Sequence, residues 1–263
     1  MKTERNVDVS DNRVKTVHKT FTIVEYLHER TRGTVSEIAT ELDIPASTVT
    51  THLRTLDDLG YVVRADDGAY RLSLRFLEMG GRTRNDHDVY RAGYSQIDKL
   101  SRETGEVATM GIEERGKRVL LYRTEPVEGI SDNAPVGEHT NMHWTALGKA
   151  LFSQMSEDEI VSIVDRYGLP AATENTITDR QELLAEVETV RERGYSVEDE
   201  ERVEGIRSVA APIRNLGPEN GPAAISVAGP KHRFSDDRIE TELVGTLQDV
   251  ENVIELQCKH YRD

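Results

Sequence analysis

Residues 45–70 read PASTVTTHLRTLDDLGYVVRADDGAY. In the first half Val49, Leu53, Leu56 and Leu59 recur at spacings of 4, 3 and 3, the period of one helix face. At about 100° per residue, Ser47, Thr51, Arg54 and Asp58 then project from the opposite face. Gly60 stops the helix, and YVVRADDGAYRL predicts two strands joined by an Asp67-Gly68 turn. A helix that runs into a hairpin in this way is the reading end of a winged helix-turn-helix when two further helices precede it.

Two helices do precede it. Val17, Phe21, Val24 and Leu27 predict a helix with one inward face, broken by Thr31, Arg32 and Gly33. TVSEIATEL predicts a second, with Thr34 as N-cap and Glu37 three residues on completing a capping box. It ends at Asp43–Pro45, because proline excludes the helical conformation from the residue before it. The third helix is then placed to enter a DNA major groove. Ser47, Thr48, Thr50 and Thr51 offer hydroxyls to phosphates or bases, Arg54 offers guanine a bidentate fork, and the wing residues Arg64 and Arg71 are candidates for phosphate-backbone contacts.

The overall charge argues against this. The chain of 263 residues carries a formal −15, with 48 acidic against 33 basic side chains. Residues 1–80, however, hold 11 basic and 13 acidic side chains, a net of −2, so −13 falls on the remainder. Of the basic residues 25 are arginine and 8 lysine. An acid-rich, lysine-poor surface suits solubility at very high salt, and predicts a halophilic source. Molar salt removes most of the phosphate term for any protein, which leaves base edges and shape to carry specificity.

No apolar run approaches the roughly 18 residues that span a bilayer, and the N-terminal MKTERNVDVSDNRVK lacks the apolar core of a secretion signal. A cytoplasmic protein with no membrane partner is expected. The single cysteine, Cys258, sits in the amphipathic VIELQCKHY and reads as a small packed side chain.

Beyond the hairpin, residues 74–101 predict a mostly helical connector through the polar GGRTRNDHD. The strand pair VATMGIEERGKRVLLYRTEP follows, then a helix over about 144–155, a helix opened by the capping box from Ser156 to Glu159, and a helix over 179–193 stopped by Gly194. Strands at 206–213 and 223–228 and a last amphipathic helix capped by Ser235 complete the pattern. Helices packed on an antiparallel sheet fit this order.

Three segments of this second half, HWTALGKAL from His143, RERGYSVEDEERVEGIRSVAAPI from Arg191 and AAISVAGP from Ala223, together with STVTTHLRTLDDLGYV, resemble the IclR family of transcription regulators. The resemblance covers nearly the whole chain. It implies an α+β fold: a winged helix-turn-helix DNA-binding domain over 12–73, a linker helix over 74–101, and a GAF-like antiparallel sheet with packed helices over 102–263 that binds a small-molecule effector, often an organic acid. It also implies double-stranded operator DNA as partner and a homodimer or dimer of dimers. Carried over position by position, the effector-binding candidates are Ala146, Leu147, Glu198, Ser208 and Ser226. Ser208 stands where some relatives that bind small keto acids have cysteine, and Ala228 where they have a second serine. Thr51 and Ala46 stand where many relatives place arginine and lysine.

The residues themselves suit such a site. Peptide N–H groups around Ala146, Leu147 and Gly148 at a helix start favour an anion. The two serines donate and Glu198 accepts, a set that fits a hydroxylated acid or a sugar derivative controlling catabolic genes. The alternative reading is that the serines merely satisfy strand backbone and that Glu198 belongs to a solvated acidic run. LGKAL is not a phosphate loop, since His143 and Ala150 stand where that loop needs glycine and serine or threonine, and Lys149 reads as structural or surface. His139 and His143 make a weak metal pair, and no cofactor motif is present. The rival functions are a small-molecule-binding enzyme, which lacks any G-x-S-x-G nucleophile elbow, and a protein-docking module that uses the winged helix without DNA.

Overall fold

Residues 14–124, 134–216 and 221–260 are described by the computed structural model. Residues 12 and 13 of the expected DNA-binding module, the tail of the expected strand at 125–126 and the last three residues lie outside them. The chain divides into two compact units, residues 1–83 and 84–263.

In the first unit α1 (Lys15–Arg30), α2 (Val35–Leu42) and α3 (Ala46–Asp58) enclose a core of Ile23, Leu27, Ile38, Val49, Leu53 and Leu56. The capping box of α2 is made in full: Thr34 Oγ1 accepts from the Glu37 N–H, and Glu37 accepts from the Thr34 N–H at 2.7 Å. The inward face of α1 differs from the predicted one. Ile23, Val24 and Leu27 are buried, while Val17 and Phe21 are 53% and 58% exposed. Only the C-terminal half of α1 meets the core, and the hydrogen bond between Thr20 and His52 of α3, at 2.9 Å, marks where that contact begins. Leu59, also expected inward, falls past the end of α3 and is 55% exposed.

The wing pairs β1 (Val62–Arg64) with β2 (Tyr70–Leu72), and Gly33 adds a bridge on the far side through two backbone bonds with Tyr70 of 2.9 and 2.8 Å. A β-carbon at Gly33 would lie 2.6 Å from the Tyr26 ring, so glycine is needed for this approach. The hairpin loop is longer than the predicted two-residue turn. Ala65 and Ala69 close it at 2.8 Å around Asp66, Asp67 and Gly68, with Gly68 at φ +80°.

The connector expected over 74–101 divides at Asp86–His87. The helix α4 (Arg75–Asn85) buries no residue, whereas α5 (Asp88–Thr104) buries Val89, Ala92, Ile97 and Leu100 in the core of the second unit. Gly93 presses α5 onto the sheet, since a β-carbon there would meet Met110 Sδ at 2.6 Å. The polar GGRTRNDHD thus ends the linker, and the apolar stripe after it belongs to the sheet domain.

That domain is a six-stranded antiparallel sheet in the order β5 (His139–Thr140), β4 (Lys117–Thr124), β3 (Val107–Glu114), β8 (Ala223–Pro230), β7 (Ile206–Ile213), β6 (Ser196–Asp199). One face carries α5 and the last helix, α10 (Val244–His260), which follows the short α9 (Asp236–Arg238) and a π-helical turn over Ile239–Leu243. Cys258 is buried there. The other face carries α6 (Ala146–Phe152), α7 (Glu157–Tyr167) and α8 (Arg180–Arg193). Strand alternation sorts the side chains: Val209, Ala211 and Ile213 point to α5 and α10, and Ala210 and Ala224 to α6. The edge strands β5 and β6 escaped the sequence reading because they are two and four residues long.

The alternation is broken once. Met110 pairs with Tyr122 but Gly111 pairs with Leu120, so Leu121 is an inserted bulge residue in β4. Leu121 and Tyr122 both pack toward α5, and Arg123 returns to the α6 face with Arg118 and Leu120. Among the described residues no helix is long and apolar enough to cross a membrane.

Candidate functional site

On α3 the outward face is as predicted. Ser47, Thr51 and Arg54 are exposed, Thr48 and Thr50 half-buried, and Thr55, which the sequence reading passed over, is exposed beside Arg54. Thr50 Oγ1 donates to the Ala46 carbonyl at 2.8 Å, Thr51 Oγ1 to Ser47 at 3.0 Å, and Thr55 Oγ1 to Thr51 at 3.0 Å. Their protons are thus committed to the helix, and what they present is acceptor lone pairs and methyl groups. Arg54 is different: its guanidinium makes no ion pair or hydrogen bond with the described residues. On the wing, Arg64 lies over the Tyr70 ring at 5.8 Å and Arg71 reaches the Leu72 carbonyl at 3.3 Å, both exposed. Arg32 pairs with Asp67 at the wing tip.

The second site is a cavity of about 50 Å³ between the sheet and α6. Of the five candidates, Leu147, Glu198, Ser208 and Ser226 line it. Ala146 does not. It is fully buried, and its carbonyl accepts from the Ser196 hydroxyl at 2.6 Å, while its neighbour Thr145, the N-cap of α6, faces the cavity. Thr145 Oγ1 also takes the Gly148 N–H at 3.0 Å, so one of the three donors expected at this helix start is already used. Ala228 lines the wall and supplies no hydroxyl.

Sheet register explains why these residues meet. Ser208 pairs across the ladder with Glu198 and Ala228, and Ser226 with Thr109 and Ala210. Ser208 Oγ donates to Glu198 Oε2 at 2.7 Å, and Glu198 Oε1 accepts from the N–H groups of Glu201 at 3.0 Å and Arg202 at 3.3 Å. The Ser226 and Thr109 hydroxyls are 2.6 Å apart. Glu198 is therefore not in a solvated acidic run: it is 3% exposed, and burial pushes its carboxyl up to about 7 against the opposing pull of Ser208 and the Arg202 N–H.

This has a consequence for stability. Below pH about 7 the folded state holds a proton that the unfolded chain releases near its ordinary value of 4.5. The associated stability is full below that ordinary value and is lost as pH rises through the folded one, on the order of 3 kcal/mol in all. Glu198→Gln is neutral at every pH and should remove this part of the slope. Urea unfolding of both proteins at pH 5 and pH 8 checks it, and parallel slopes would refute the assignment.

Sequence reading missed the cavity's cations. Arg118, Arg123 and Arg202 line it, as does Thr109. The spacing of Arg118 and Arg123 is odd, which by strict alternation puts them on opposite faces, and only the bulge at Leu121 brings them together.

Lys149 is structural, and fully buried. It is 2% exposed and lies 2.6 Å from Glu201 and 3.7 Å from Glu186. Its neighbour Gly148 is crossed by the Met142 carbonyl, 2.0 Å from where a β-carbon would stand. The glycine-lysine pair thus serves close packing and an internal ion pair. His143 is buried, bonds the Pro170 carbonyl at 3.1 Å and has its pKa lowered by burial, while His139 is exposed and bonds Glu114 at 3.2 Å. Among the described residues no cluster of three metal-ligating side chains occurs.

Two family models match the chain. One, described as the IclR helix-turn-helix domain, covers residues 16–66, and the other, the bacterial transcriptional regulator IclR C-terminal domain, covers residues 82–255. The probable HTH-type transcriptional regulator ArcR of Halobacterium salinarum is 29% identical over 94% of this chain and 95% of its own length. The HTH-type transcriptional repressor AllR of Escherichia coli is 30% identical over 95% and 94%. A crystal structure of a putative transcriptional regulator from Rhodococcus sp. RHA1 superposes with a TM-score of 0.82 at 26% identity, covering 95% of this chain and all of that one.

Proposed function

Because the chain belongs to the IclR family of ligand-responsive DNA-binding regulators, we propose that it binds a two-fold symmetric operator as a homodimer and that a small hydroxylated carboxylic acid in the buried cavity sets its affinity for that operator. In each half-site α3 enters the major groove with Arg54 on a guanine, and Arg64 and Arg71 meet the phosphate backbone. The observation that carries the effector class is the cavity lining: three guanidinium groups, four hydroxyls and one carboxyl, a combination that suits an anion bearing hydroxyl groups. Catabolic genes for such an acid are the natural targets.

Exposed apolar side chains support the dimer. Val17 and Phe21 on α1 and Leu74, Leu77 and Met79 at α4 are all about half exposed or more, an apolar surface that a second protomer would cover. The effector acts by binding two arrangements of the dimer with unequal affinity.

Binding to the gene's own upstream region, followed by fluorescence anisotropy across a potassium chloride series, tests the DNA half of this reading. Two wing arginines per protomer give a dimer about four phosphate contacts and a log–log salt slope of about −4. A slope steeper than about −8 would require contacts from elsewhere, and failure to bind any such site at any salt would defeat the proposal.

A further inference from the structure

Arg118 and Arg202 converge on one carboxylate. Glu138 Oε2 lies 2.7 Å from Arg118 Nη2, and its two oxygens lie 3.1 and 3.2 Å from Arg202 Nη2. Both arginines line the cavity, but Glu138 does not: it reaches them from the segment that leads into β5. The backbone of Glu138 is anchored, its carbonyl accepting from the Leu120 N–H at 3.1 Å and its N–H donating to Pro135 at 3.0 Å. Its side chain is 23% exposed, whereas that of Arg118 is 4% exposed and holds the Thr140 hydroxyl at 2.7 Å through Nε. The buried Arg118 guanidinium is thus fixed, while Arg202, 20% exposed, and Glu138 both have solvent to turn into.

The cavity as it stands has room for a few water molecules, less than a hydroxylated acid needs. Admitting an effector requires some part of the wall to move. Rotation of the Glu138 side chain toward solvent would vacate the place beside both guanidiniums and present them to a ligand. Resting on the reading of this cavity as the effector site, we infer that Arg118 and Arg202 form its carboxylate subsite and that Glu138 is the resident occupant, displaced when the effector's carboxylate takes its place.

A buried guanidinium without a carboxylate is strongly destabilising, so an internal counter-ion keeps the empty site folded. An incoming carboxylate restores the same forked contacts and thus exchanges like for like. A neutral polyol offers hydroxyls but no charge to replace that of Glu138, and is rejected. The exchange also sets the response range, since apparent affinity is reduced by the fraction of molecules in which Glu138 holds the arginines.

The test uses the full chain and D-gluconate as probe, with sorbitol as its uncharged counterpart, at constant ionic strength in potassium chloride. Thermal unfolding is followed against probe concentration for the wild type and for Glu138→Gln, which keeps the shape and removes the competing charge. The half-maximal shift is expected at roughly tenfold lower gluconate in the variant, with sorbitol moving neither. Should Glu138→Gln fail to fold, Glu138→Asp, one methylene shorter, is expected to move the midpoint in the same direction by about threefold. A wild type that responds to gluconate while the variant responds equally or more weakly overturns the inference and leaves the effector reading intact. A variant unmoved by gluconate overturns the inference whatever the wild type does. Stabilisation by sorbitol and not by gluconate overturns both.

Discussion

Replacing Arg54 by alanine is expected to abolish operator binding while leaving fold and oligomeric state unchanged. Arg54 is exposed on α3, so its removal takes no contact from the core, and alanine is the better helix former. What is lost is the long cationic fork on the outward face. The hydroxyls of Thr50, Thr51 and Thr55 donate inside the helix, so they cannot replace it as donors to base edges. A bidentate arginine–guanine contact is worth about 1 to 3 kcal/mol of discrimination, and a dimer loses it in both half-sites, at least ~30-fold in affinity. Arg54→Lys keeps the charge but not the fork, and should bind specific and non-specific duplexes more nearly alike. Anisotropy titrations with operator and scrambled duplexes decide the matter. Undiminished operator binding by the alanine variant would discard Arg54 as the reading residue.

The second large effect is one of stability. Lys149→Met removes a buried cation from between Glu201 and Glu186 and should destabilise the effector domain by about 3 to 5 kcal/mol near neutral pH. Methionine keeps most of the volume, so the loss measures charge more than packing. Burial already raises the Glu201 carboxyl, with Lys149 holding it down. Without the lysine it rises further, and a carboxyl raised in the folded state loses its stabilising proton as pH increases. The deficit should therefore be smaller at pH 5 than at pH 8. The double variant Lys149→Met, Glu201→Gln should recover much of it. A single variant as stable as the wild type at pH 8 in urea unfolding would show that the ion pair contributes nothing net.

How far the sequence reveals this molecule depends on the range of the interaction in question. The capping boxes at Thr34 and Ser156, the stops at Gly60 and Gly194 and the periodicity of α3 from Val49 to Leu56 are local, and they appear in the structure where the residues predict them. The exposure of Val17 and Phe21 was not legible, because periodicity names a face and not how much of its length is covered. The place of α5 in the sheet domain was obscured by continuity of helical pattern across a domain boundary. At the cavity, Leu147, Glu198, Ser208 and Ser226 were reached through resemblance, and the register of β6, β7 and β8 supplies the physical reason they meet. Arg118, Arg123 and Arg202 were not reached, since their convergence depends on one bulge and on a pairing between segments far apart in sequence.

That bulge also bears on how the site can change over generations. Loss of the single codon for Leu121 would restore strict alternation in β4 and leave Arg118 and Arg123 four residues apart, still on one face of the sheet. The charge offered to a ligand would survive that step, and what would go is one apolar side chain on the α5 face. A relative with a regular β4 and a four-residue spacing would therefore be expected to present the same two cations, and the pair is to be sought at either spacing, with a bulge at five and without one at four.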